Sequence, residues 1–159
     1  IIDPDFENPT VISSNSWENG AINTQWAVAN GAGADHGGVS HLNIVNAGIY
    51  RISISRWPFH LNKKLNESGL KTSIGGTRIR QGKALPIDVG CILINGKQLM
   101  EEKMMHGATS IPFEIKLHEG NLDLQAWFKD ETGNDICGAY YVKFEKVQQK
   151  IILETTSNW

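Results

Sequence analysis

Alternation of apolar and polar residues dominates the chain. Tyr50, Ile52 and Ile54 interleave with Arg51, Ser53 and Ser55, a period of two that describes a strand with one buried and one solvated face. The same pattern predicts strands over Val39–Val45 and Ile49–Arg56, joined through Asn46-Ala47-Gly48 as a hairpin. A second hairpin pairs Ile87–Ile94 with Lys97–Met104 across Asn95-Gly96, the strongest short-range hairpin signal. A third joins Ile111–Leu117 to Leu122–Lys129, and the acidic turn Asp130–Asp135 leads into a last strand, Ala139–Glu145. Helical signal is confined to one or two turns at Leu61–Glu67 and to the tail Val147–Leu153, helical or disordered; Ser68–Lys83 reads as a long polar loop. Eight or nine short strands with turn signals between them predict an all-β fold, an antiparallel β-sandwich of jelly-roll, galactose-binding-like type, with a closed barrel as the alternative. One domain over 1–146 and a tail over 147–159 follow.

Composition narrows the partners. A chain of 159 residues buries about 70% of its unfolded surface, enough for a core without staples. Fifteen basic against 17 acidic residues give a net charge of -2, so there is no basic excess to release counterions from nucleic acid. No apolar run reaches the roughly 18–20 residues that cross a bilayer as a helix. The polar start Ile1-Ile2-Asp3-Pro4-Asp5 lacks the basic and apolar regions of a signal peptide and suggests a piece of a longer chain. Cys91 and Cys137 fall on opposite strand faces by the predicted phases, so two free thiols are expected.

Candidate chemistry is sparse. None of His36, His41, His60, His106 and His118 has zinc-ligand spacing, and they read as structural or surface histidines. Gly75–Lys83 lacks the spacing and following helix of a phosphate loop, and reads as solvated. Asp130–Asp135 offers oxygen ligands for calcium without EF-hand spacing, and reads foremost as a polar turn. Asp88, Glu114 and Asp123 are the carboxylates that a sandwich can bring together, but nothing in the sequence requires it. Aromatic residues carry more. Leu122, Leu124, Ala126 and Phe128 share the core face, which turns Trp127 outward beside Asp123, Gln125 and Lys129. Pairing Ala126 with Tyr140 sets Trp127 opposite Ala139 with Tyr141 diagonal to it, and Arg56-Trp57-Pro58 ends a strand at an exposed Arg–Trp pair. Arg56, Trp57, Gln125, Trp127 and Tyr141 are therefore the candidates for a carbohydrate-binding or domain-interface surface; the alternative is that these aromatics close the sandwich.

Arg56-Trp57-Pro58, Ala84-Leu85-Pro86-Ile87, Leu124–Gly133 and Cys137-Gly138-Ala139-Tyr140-Tyr141-Val142 occur in an order that resembles the C-terminal region of bacterial arylsulfatase-type enzymes. Asn8-Pro9-Thr10 and Ser16-Trp17 resemble the segment leading into it, with Ser16 where an Asp is usual. The resemblance covers roughly residues 8 to 146 and implies a secreted or periplasmic sulfatase acting on sulfated glycans, with its catalytic domain N-terminal to this chain. Formylglycine and calcium would belong to that domain. The near miss Ser110-Ile111-Pro112-Phe113-Glu114 has Glu where the formylglycine motif needs Arg, so no catalytic residue, metal or cofactor is expected here. The expected role is carbohydrate binding or bracing of the catalytic domain. A free-standing carbohydrate-binding module is the second reading and a small glycan lyase or hydrolase the third.

Overall fold

The computed structural model describes residues 1–18, 25–31, 37–69, 72–74, 77–79 and 81–147. Its strands are β1 (Thr10–Ser13), β2 (Trp17–Glu18), β3 (Val39–Ile44), β4 (Gly48–Ser55), β5 (Thr72–Ile74), β6 (Thr77–Ile79), β7 (Val89–Ile94), β8 (Gln98–Lys103), β9 (Ile111–Leu117), β10 (Gly120–Lys129), β11 (Asp135–Gly138) and β12 (Tyr141–Lys146). One sheet runs β1-β12-β4-β9 and the larger runs β2-β3-β10-β7-β8, with β11 added to β10. Every pairing between these strands is antiparallel. The fold is the antiparallel β-sandwich of jelly-roll type that the alternation predicts.

The inward residues are those with the apolar phase. Tyr50, Ile52 and Ile54 of β4, Phe113 of β9, Phe128 of β10 and Phe144 of β12 are buried between the sheets. The Asn95-Gly96 turn forms as expected: both residues have positive φ (51° and 63°), and Lys97 N–H donates to Ile94 O at 3.0 Å. That backbone requires residues tolerant of the left-handed region.

Two of the three expected hairpins are absent. β3 pairs with β10 and β2, whereas β4 pairs with β12 and β9, so the Val45–Ala47 link crosses between sheets. β9 and β10 likewise lie in different sheets, although only two residues separate them. Alternation specifies which side chains face inward, and two strands facing each other across a core satisfy it as well as two strands side by side. The expected last strand is also divided. β11 pairs with β10 as Trp127↔Gly138 and Phe128↔Cys137, one residue off the expected register, and the chain then crosses at Ala139-Tyr140 to enter the other sheet as β12. The Ser68–Lys83 loop contains the short β5–β6 pair.

Helical structure is brief. A 3-10 turn at Phe59–Leu61 follows Pro58, and α1 spans Gln25–Asn30, a helix the alternation gave no hint of. The expected C-terminal tail lies outside the described residues after Val147, as do His36 and Gly75-Gly76.

Candidate functional site

Arg56 and Trp57 follow β4 and were expected at an exposed edge, but Arg56 is fully buried and Trp57 is 7% exposed. The guanidinium donates from Nη1 to Glu67 O (2.8 Å) and from Nη2 to Ala29 O (2.9 Å) and Lys83 O (2.7 Å), with a longer contact from Nε to Val28 O (3.4 Å). Its Cζ lies 4.4 Å from the Trp57 ring centroid. Pro58 does end the strand, but the end of α1 and two loop segments, at Glu67 and Lys83, receive the guanidinium. Burial holds the Arg56 pKa below its ordinary value, opposed by nearby Cys137 and Tyr140. Main-chain carbonyl dipoles, two of them at the C-terminal end of α1, compensate the buried charge. Arg56 and Trp57 organise loops and present no surface to a ligand.

Trp127 takes the outward phase, yet it is 3% exposed. The turn after β10 folds back over the ring, and Trp127 Nε1 donates to Asp135 Oδ1 at 3.0 Å. The turn is internally satisfied: Asp130 Oδ1 accepts from Thr132 Oγ1 (2.7 Å), Thr132 N (2.9 Å) and Asn134 N (2.9 Å). These bonds, the Thr132 hydroxyl foremost, lower the Asp130 pKa. Among the described residues no group of three or more His, Cys, Asp or Glu could hold a metal ion. Tyr141 belongs to the other sheet, opposite Ser13 and Ser55. Of the five sequence candidates, only Gln125 and Trp127 share a face, and only Gln125, half-buried, offers its side chain to it freely.

That face is the outer side of the larger sheet. Register places Asn121, Asp123, Gln125, Trp127 and Lys129 of β10 along its middle. β3 adds His41 opposite Asp123 and Asn43 opposite Asn121; β7 adds Leu93 opposite Gln125, and β8 sets Leu99 opposite Leu93. Two shallow depressions flank Gln125. One, of about 350 Å³, is lined by Ile1, His41, Leu42, Asn43, Asn121 and Asp123. The other, of about 530 Å³, has Leu93, Leu99, the edge of Trp127 and Lys129 along one side, and Gly133, Asn134 and Asp135 along the other. Leu99 is 53% exposed. Asn43 Nδ2 donates to Asn121 Oδ1 at 3.2 Å, which fixes both amide planes and leaves a donor and an acceptor for a ligand.

His41 is clamped at the polar end. Its Nδ1 lies 2.7 Å from Asp123 Oδ1 and its Nε2 3.4 Å from Glu18 Oε2. The hydrogen bond to Asp123 foremost, with the charges of Asp123 and Glu18, raises its pKa above 6.5 and outweighs the opposing desolvation. The folded chain favours the imidazolium, so its stabilisation is complete below 6.5 and is lost as pH rises through the higher folded value. Titration of the His41 ring protons by NMR is expected to give a midpoint above 6.5, and Asp123→Asn to return it toward 6.5. A wild-type midpoint at or below 6.5 would contradict the clamp.

The carboxylates considered for catalysis do not converge. Glu114 lies in the smaller sheet, 3.0 Å from Arg51, and Asp88 sits 4.0 Å from Lys103. The thiols are free and on opposite faces of the larger sheet, since Cys91 stands opposite Trp127 and Cys137 opposite Phe128. Burial pushes Cys91 up to about 12 and Cys137 up to about 11, which leaves both without thiolate character at neutral pH. Sequence reasoning missed His41, Asn43, Asn121, Leu93 and Leu99 as site residues. Their outward phase was readable, but their meeting depends on the β3–β10–β7–β8 order.

No protein-family model matches the chain, and no curated protein matches it. Among solved structures, it is similar to the exo-β-1,3-galactanase from Phanerochaete chrysosporium determined with β-1,3-galactotriose, with a TM-score of 0.46 and 13% identity over 87% of this chain. The chain spans 29% of the length of that protein. It is also similar to a family 35 carbohydrate binding module from Clostridium thermocellum, with a TM-score of 0.44 and 12% identity over 86% of this chain and 98% of the module.

Proposed function

We propose that this chain is a non-catalytic carbohydrate-binding domain that holds glycan on the outer face of its larger sheet. The observation that carries the reading is the joining, on one face of the described residues, of apolar area from Leu93 and Leu99 with the polar groups of Asn43, Asn121, Asp123 and Gln125. A sugar ring needs both, because its C–H face gains from apolar contact while its hydroxyls must exchange water for fixed donors and acceptors. The shallowness of the face, and the dispersal of its carboxylates into pairs with His41 and Lys129, suit binding better than bond cleavage. Isothermal titration against a panel of polysaccharides tests it. Leu99→Ala and Gln125→Ala are each expected to weaken binding about tenfold with little change in Tm. Undiminished affinity in both variants would contradict the site.

A second reading attaches the domain to the sulfatase-type catalytic domain implied by the resemblance, in a secreted or periplasmic enzyme, with formylglycine and calcium held there. It is favoured by the burial of Leu124, Ala126, Cys137, Ala139, Tyr140 and Val142, which makes the resembling motifs packing signals that a shared fold would retain. Translation of the gene upstream into a C/S-x-P-S-x-R-containing domain supports it; a different upstream domain contradicts it.

A further inference from the structure

We propose that the glycan taken by this face is an electrically neutral chain lying along β10, and that sulfated or uronic chains are disfavoured; this rests on the carbohydrate-binding reading above. The argument is one of available charge. Among the described residues, the cations of β3 and β10 on this face, His41 and Lys129, are each held by a carboxylate. His41 lies between Asp123 and Glu18 and Lys129 Nζ is 2.5 Å from Glu101 Oε1; Lys103, at the β8 edge, is largely exposed and only approaches Asp88, at 4.0 Å. The Glu101–Lys129 contact is a tight one: it raises the Lys129 pKa and lowers that of Glu101. A sulfate arriving between Asn121 and Lys129 finds no unengaged ammonium or guanidinium among the described residues of β3 and β10, and meets the carboxylates of Glu18, Asp123 and Glu101. Recognition of sulfate or carboxylate requires charge-assisted donors, and like charges oppose each other over several ångströms at a partly exposed surface.

What the face offers in quantity is neutral hydrogen-bonding capacity and apolar area. Asn43, Asn121 and Gln125 present amides, Asp123 Oδ2, the oxygen not bonded to His41, accepts from hydroxyls, and Leu93 and Leu99 supply a non-polar patch. These groups follow one strand from Asn121 to Lys129, a run of about 27 Å at the usual rise per residue. Along β10, Gln125 lies between the Asp123 end of one depression and the Trp127 end of the other. The geometry fits an internal stretch of chain across both hollows, with its hydroxyl edge toward Asn43 and Asn121 and a ring face toward Leu99.

The test uses the 159-residue chain with matched ligands: each neutral polysaccharide that binds, its chemically sulfated derivative on the same backbone, and a size series of its neutral oligosaccharides. Sulfation is expected to weaken binding about tenfold at low salt, with the gap narrowing as sodium chloride screens the carboxylates. Glu101→Gln, which releases Lys129, is expected to raise the affinity of the sulfated derivative several-fold and to leave the neutral chain unchanged. Hexasaccharides are expected to bind more tightly than disaccharides. A sulfated derivative that binds as tightly as its neutral parent, or a disaccharide that binds as tightly as a hexasaccharide, overturns the inference while the carbohydrate-binding reading stands. Binding of no glycan overturns that reading and the inference with it.

Discussion

Arg56→Ala is expected to destabilise the fold by about 3–5 kcal/mol, a fall in Tm of roughly 10 °C for a domain of this size. The side chain is fully buried and spends its donors on main-chain oxygens of Val28, Ala29, Glu67 and Lys83. Truncation removes a packed side chain from over Trp57 and leaves several carbonyls without a partner. Unsatisfied buried acceptors each cost about 1–3 kcal/mol. Arg56→Met separates the two effects by retaining most of the stem. Arg56→Lys keeps the charge on a single ammonium that cannot span three segments, and its stability is expected between those of wild type and Arg56→Ala. A Tm for Arg56→Ala within about 2 °C of wild type would contradict the hub.

Gly82→Ala is expected to be nearly as damaging, by about 3 kcal/mol or more. Gly82 has φ +66°, and a Cβ there would lie 1.9 Å from Ala29 O and 2.4 Å from Ala29 C. Those atoms are backbone and cannot swing aside. The same carbonyl accepts from Arg56 Nη2 and from Lys83 N–H at 3.0 Å, so displacing it loosens both bonds. Gly96→Ala is the control: its φ is +63° but nothing lies within 4 Å of the added methyl, leaving only the conformational cost of about 1–2 kcal/mol. Chemical denaturation of both variants should show Gly82→Ala as clearly the less stable; equal losses would mean that the close approach to Ala29 relaxes freely. Because Gly82 and Arg56 act on one carbonyl, their double variant should lose less than the sum of the single losses.

Much of the fold was legible because a strand's two faces are written as a period of two. Tyr50, Ile52 and Ile54, Leu122, Leu124, Ala126 and Phe128, and Val142 and Phe144 all lie inward as their phase requires. Strand partnership was legible across Asn95-Gly96, where β7 pairs with β8, and not at the other two expected hairpins. The Val45–Ala47 and His118-Glu119 links each cross the core, and Ala139-Tyr140 switches sheets inside what reads as one run. These are decisions of long-range packing that local alternation does not encode. The exposure of single aromatics failed for the same reason. Trp127 points outward as read, yet it is buried, with its indole bonded to Asp135. Arg56 before Trp57 and Pro58 reads as a polar strand end, whereas its burial depends on carbonyls from 11 to 28 residues away. On the candidate site, Gln125 and Asp123 stood out as polar neighbours on the outward phase. Leu99 did not, since one exposed leucine is unremarkable until register sets it beside Leu93 and Gln125.

Mapping of backbone amide shifts on addition of a neutral oligosaccharide that binds tests the central claim most directly. Perturbations concentrated at Asn43, Leu99, Asn121, Asp123 and Gln125 are the expected result, because these residues line one face on β3, β10 and the β8 edge, with Leu93 of β7 between the last two. Perturbations confined to the loops around Arg56, or to the outer face of the smaller sheet around Tyr141, would contradict it.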